Sequence, residues 1–145
     1  TGALEDGVFV RSDWIQDEAN QDVATRFLKA SFKGWVYCRD NFEDCLQIVL
    51  ENGPTLGEGH QRWQLNEINK LIWPNELGVG VMDPAAFDNT AQIALDYGVI
   101  SSEATSDAYI TDYAEAAVVA LEDEGVDVKG ADFQAEEVEV TPGGE

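Results

Sequence analysis

The segment LGEGHQRWQLNEINKLIWP, residues 56–74, carries the chain's single histidine, His60, with Trp63 and Trp73 beside it. Imidazole titrates near neutral pH, which makes it the usual general base. A nucleophile–histidine–acid triad also needs a freely oriented ring next to a hydroxyl or thiol. His60 instead falls at a helix start, between glycine punctuation and a closing proline. The chain has no G-x-S-x-G, and neither cysteine lies near His60 in sequence. His60 therefore reads as a residue that caps or packs. The GEG and GVG turns lack the lysine and flanking strand of a phosphate loop. No carboxylates have calcium-loop spacing, and Glu122 with Glu124 reads as a solvated helix end. The expectation is a non-enzymatic protein with no metal site and no cofactor.

The two cysteines, Cys38 and Cys45, are not spaced as zinc ligands. The expectation is a pair of buried free thiols. A disulfide is open geometrically if Cys38 ends one helix and Cys45 starts the next. Trp35, Tyr37, Trp63 and Trp73 recur at helical spacing and read as core, with a pocket for a flat ring as the other reading. Trp14 follows a β-prone run, and strand ends in α/β folds are where ligands sit.

Twenty-nine acids stand against eight lysines and arginines, for a formal charge of −21 and a pI near 4.1. Such a field repels phosphate backbones and anionic membranes, so nucleic acid is not an expected partner. The acids are scattered, which suits a solvated surface. Hydrophobic residues make up 44% of the chain, enough for a core in 145 residues. No apolar run is long enough to span a bilayer. The sequence starts at Thr1 and its one methionine is Met82, so we expect a mature, trimmed or internal piece.

These residues need elements to position them. GVFVR, residues 7–11, reads as a short strand. Val23, Phe27, Leu28, Phe32, Trp35 and Val36 mark a helix over about 20–39, with Gly34 suggesting close approach of another backbone. NFEDCLQIVLEN is a second helix with Asn41 as N-cap. A third runs over 59–72 with Leu65, Ile68, Leu71 and Ile72 as its stripe. Asp83 and Pro84 start a fourth, which buries Phe87, Ala91, Ala94 and Leu95 and stops at Gly98. Asp112 and Glu115 suggest a capping box for a fifth, over 113–124, stopped by Gly125. Residues 1–133 form the folded part and 134–145 an acidic tail, with one short strand over 138–141. A lone strand cannot satisfy its backbone, so GVFVR must pair with that tail or with residues outside the chain.

Four blocks occur in order: EDGVFVRSDWI, RFLKASFKGWVYCRDNFEDCLQIVLE, HQRWQLNEINKLIWP and GVGVMDPAAFDNTAQIALDYGVI. Together they resemble the C-terminal half of an ABC-importer substrate-binding protein. The branch is the one that includes nitrate, sulfonate and taurine binders and thiamine-pyrimidine-precursor binders. The resemblance covers about residues 4–133. It implies an α/β protein of the two-lobed periplasmic-binding type, of which this chain is the mostly helical C-terminal part. It implies an extracytoplasmic location, periplasmic or as a membrane-anchored lipoprotein. The partners would be a small solute, an ABC permease and the N-terminal half of the same protein. The solute would be a small, pyrimidine-like heteroaromatic held in an inter-lobe cleft. Asp6 and Trp14 are the ligand-binding candidates by placement near the hinge, a carboxylate for ring nitrogens and an indole for stacking.

Two other functions compete. A related branch of the same fold makes the thiamine pyrimidine in the cytosol, with iron and an upstream histidine. A helical interaction module with no small ligand is the other.

Overall fold

A computed structural model describes residues 7–140 and 142–144. Among them there are six α-helices and no strand. They are α1 (Ser12–Ile15), α2 (Glu18–Asp40), α3 (Phe42–Asn52), α4 (Glu58–Ile72), α5 (Pro84–Asp96) and α6 (Asp112–Glu122). Single 3-10 turns cover Ser106–Ala108 and Pro142–Gly144. The chain is helical, not α/β, which corrects the expected fold class. The reason is a lack of partners. Residues 7–10 are exposed and none of them takes part in a hydrogen bond among the described residues. An extended run without a neighbouring strand forms no sheet. At the other end, the Glu136 backbone bonds a side chain, not a strand.

The core is an α2–α6 pair roofed by loops. Phe32 and Val36 of α2 meet Ala114, Ala117, Val118 and Leu121 of α6. Two alanines a turn apart keep α6 thin there, so the larger α2 side chains fit against it. Trp73, Val79 and Val128 close the cluster from the loops. Val79 N–H donates to Val128 O at 3.0 Å and Asn75 N–H to Lys129 O at 2.9 Å, which ties the two loops together. Val23 and Phe27, expected inside, lie on the side of α2 turned away from Phe32 and Val36 and are exposed.

Helix ends follow local chemistry with two corrections. The Asp83 carboxylate accepts from Ala85 N–H at 2.9 Å, with Pro84 opening α5 as expected. Gly98 ends it in the left-handed region at φ +70°. Val99 N–H bonds Ala94 O and Gly98 N–H bonds Leu95 O, the Schellman pattern. Gly125, at φ +76°, repeats the pattern after α6. The Asp112–Glu115 capping box does not form. Thr111 is the N-cap residue of α6, and its hydroxyl accepts from Met82 N–H instead. Asn41 stands at the N-cap of α3, but its Nδ2 donates back to Tyr37 O at the end of α2.

Gly34 approaches no other backbone. A Cβ there would meet nothing within 4 Å, because this face of α2 opens onto a groove. Glycine in a helix interior then only costs stability. Gly34→Ala is expected to stabilise the protein by about 0.5–1 kcal/mol in denaturant titration. A destabilised variant would mean the groove needs the space.

Candidate binding groove

α2, α3 and α4 enclose an open groove of about 500 Å³. Helical repeat explains its walls. Ser31, Gly34, Trp35 and Cys38 lie along one stripe of α2, and Gln61, Gln64, Leu65 and Ile68 along one stripe of α4. Cys45, Leu46 and Val49 of α3 supply the third side. The surface is mainly apolar, with the two glutamines and Ser31 as its polar groups. That composition suits small-molecule recognition more than charge chemistry.

Two clamps fix the three helices. Cys38 and Cys45 form a disulfide with Cα atoms 5.1 Å apart, which corrects the expectation of free thiols. The reason is the tight junction: α2 ends at Asp40 and α3 begins at Phe42, so the two cysteines face each other across a single linking residue. The second clamp is Arg62 of α4, which pairs with Glu43 of α3 and with Glu58 at 3.1 Å. The Arg62 hydrogen bond holds the Glu43 carboxyl below its ordinary range. Beside the disulfide, Tyr37 donates its hydroxyl to Asp44, which pushes the phenol's titration upward.

α4 buries amides where a hydrophobic stripe was expected. Leu71 is exposed, while Asn66 and Asn69 are buried. Asn66 explains this: its Nδ2 donates to Glu136 O at 3.1 Å and its Oδ1 accepts from Glu136 N–H at 2.9 Å. One amide thereby satisfies both backbone groups of an extended residue. This ties the acidic segment after Phe133 to α4.

Arg39 sits at the far end of α2 with its side chain only 7% exposed. Its guanidinium lies 4.6 Å from the Trp73 ring centroid, donates to Asp127 O, and pairs with Asp40 and Asp127. A buried arginine so fully paired is a structural strut. Partial desolvation would raise the Asp127 carboxyl. The N–H groups of Gly130 and Lys129 and the Arg39 charge outweigh it and hold the carboxyl below its ordinary range. Both Asp127 and Glu43 have depressed folded-state titration, so their stabilisation is present above the unfolded carboxylate pKa and is lost as pH falls through the folded value. Thermal midpoints should be flat from neutral pH down to about pH 5 and fall below about pH 4. Asp127→Asn should remove part of that fall. An unchanged acid limb in this variant would rule out Asp127 as a contributor.

The expected site residues fall elsewhere. Trp14 is half-buried in α1, and its carbonyl accepts from Asn20 Nδ2 at 2.9 Å, so α1 caps the start of α2. Trp14 does not line the groove. Asp6 lies outside the described residues. His60 is exposed in the first turn of α4, its ring 5.9 Å from that of Trp63. No hydrogen bond joins it to a carboxylate or hydroxyl among the described residues, and these hold no cluster of metal-ligating side chains. Of the aromatics weighed for a ring pocket, only Trp35 lines the groove, while Trp73 is core. Sequence reasoning missed Gln61 and Gln64. Their spacing with Leu65 and Ile68 was the available signal. No helix of the described residues is long and apolar enough to cross a membrane. No family model matches the chain, and neither a curated protein nor a solved structure matches it.

Proposed function

We propose that the chain belongs to the solute-binding component of an ABC importer and acts outside the cytoplasm without catalysis. The family reading rests on the resemblance carried by the four ordered sequence blocks. The groove is the observation that carries the reading. Its roughly 500 Å³ lies within the range of small-molecule sites, about 300–1,000 Å³. The Trp35 indole offers a face for stacking, and the Gln61 and Gln64 amides offer both donors and acceptors. That set suits a flat, neutral heteroaromatic such as an aminopyrimidine. Any permease subunits and an N-terminal half of the same protein would be its further partners.

Two observations support the location and the partner. The Cys38–Cys45 disulfide suits an oxidising compartment and disfavours the cytosolic enzyme reading. Phe9 is 93% exposed between exposed valines, an apolar extended run that a second body would cover.

The test is thermal unfolding of the longest natural polypeptide containing this chain, with aminopyrimidines, sulfonates and nitrate. A bound solute at a hundred times its dissociation constant adds about 2.7 kcal/mol, readable as a shift of several degrees. A shift lost in Trp35→Leu and Gln64→Leu supports the reading. No shift with any solute at millimolar concentration sinks it, and leaves the exposed apolar surface to favour a ligand-free interaction module.

A further inference from the structure

α5 is apolar yet buries no residue fully. Its neighbours are loops: Phe87 packs against Tyr109 with the rings tilted and their centroids 4.7 Å apart, and Val99 turns back onto Ala94 O. At its C-terminal end Ile93 and Tyr97, one turn apart, share an edge of the helix, and Val99 follows. Tyr97 is 83% exposed and Val99 77%. Exposed apolar side chains grouped on one small element mark an interaction surface.

Charge identifies the occupant. Between Lys70 and Lys129 the chain has no lysine or arginine but twelve acids. α5 and the chain on either side of it carry Asp83, Asp88, Asp96 and Glu103, and none of these forms an ion pair among the described residues. The cations that are present already serve α2, α4 and the loop after α6. A second copy would bring the same negative face and be repelled, as would a nucleic acid or an anionic membrane.

We infer that the α5 end, Ile93, Tyr97 and Val99 with Asp96 beside them in an uncompensated acidic stretch, docks a cationic amphipathic segment of a partner protein. Leucine-type side chains would cover Tyr97 and Val99, while lysines or arginines meet Asp96 at the rim of the patch. This surface is separate from the groove and does not depend on what the groove binds.

The probe is a synthetic amphipathic peptide of about 18 residues, leucine on one face and lysine on the other. Its affinity for the full chain is read by fluorescence anisotropy at about 0.15 M salt. I93S/Y97S/V99S should weaken binding at least tenfold. D96N should weaken it several-fold and flatten its salt dependence. A charge-matched control on another helix, E51Q, should change it less than twofold. Equal weakening by that control would show only general attraction to a −21 chain and overturn the proposal. So would wild-type affinity in the apolar variant. Because these side chains are exposed, circular dichroism should be unchanged. Should the apolar variant misfold, amide exchange on the wild-type complex decides: protection must appear over residues 84–110 and nowhere else comparable.

Discussion

Gly80→Ala is expected to lose about 4 kcal/mol of stability in denaturant titration. Two independent costs combine. Gly80 has φ +76°, in the left-handed region, where a Cβ costs roughly 1–2 kcal/mol. Its Cβ would also sit 2.2 Å from Cε1 of Phe32. Phe32 cannot swing away, because it is buried between α2 and α6 in the centre of the core. Forcing it costs roughly 1–3 kcal/mol more. Gly98→Ala separates the two terms. Gly98 has φ +70°, but a Cβ there meets nothing within 4 Å. It should lose about 1 kcal/mol only, the backbone term alone. Similar losses in both variants would mean that Phe32 has room to move and that the α2–α6 core is looser than its burial implies.

That contrast shows what the sequence can and cannot disclose. Helix positions were legible, because caps and breakers act locally: Asp83 before Pro84, and Gly98 and Gly125 at φ-positive stops. The core was only half legible. Phe32 and Val36 are buried, but Val23 and Phe27, which lie on the other side of α2, are exposed. The apolar positions of α2 mark more than one face, and spacing alone does not say which of them α6 covers. α4 makes the point more strongly. Its buried positions are Asn66 and Asn69, and Asn66 is there because its amide bonds the extended chain at Glu136. No local rule foresees a partner seventy residues away. The same limit misled the strand assignment. GVFVR has strand composition, yet a strand is a relation between two segments, and the second is not among the described residues. The groove was hidden for a further reason. Gly34 suggested a close contact, whereas it marks an open space that only the assembled α2, α3 and α4 define.

Reduction of the Cys38–Cys45 disulfide, or its replacement in C38A/C45A, is expected to lose about 2.5 kcal/mol. The cysteines are seven residues apart in sequence, and closing so short a loop removes only a modest amount of unfolded-state entropy. The loss should also be local. The disulfide joins the end of α2 to the start of α3, whereas the core lies between α2 and α6. Amide exchange should therefore speed up over α3 while α6 keeps its protection. The second clamp sets how far the groove opens. Arg62 still ties α4 to Glu43, so α3 should loosen from α2 but stay with α4. Arg62→Met alone should have a small effect, because a largely exposed ion pair contributes about 1 kcal/mol or less. In the reduced protein the same change should cost more, since Arg62–Glu43 and Tyr37–Asp44 are then the side-chain links still holding α3. Measured in a double-mutant cycle, a coupling near zero would show that the clamps act independently and that the groove does not depend on their sum. A positive coupling would make the groove a single cooperative unit, held open at one edge by a covalent bond and at the other by charge.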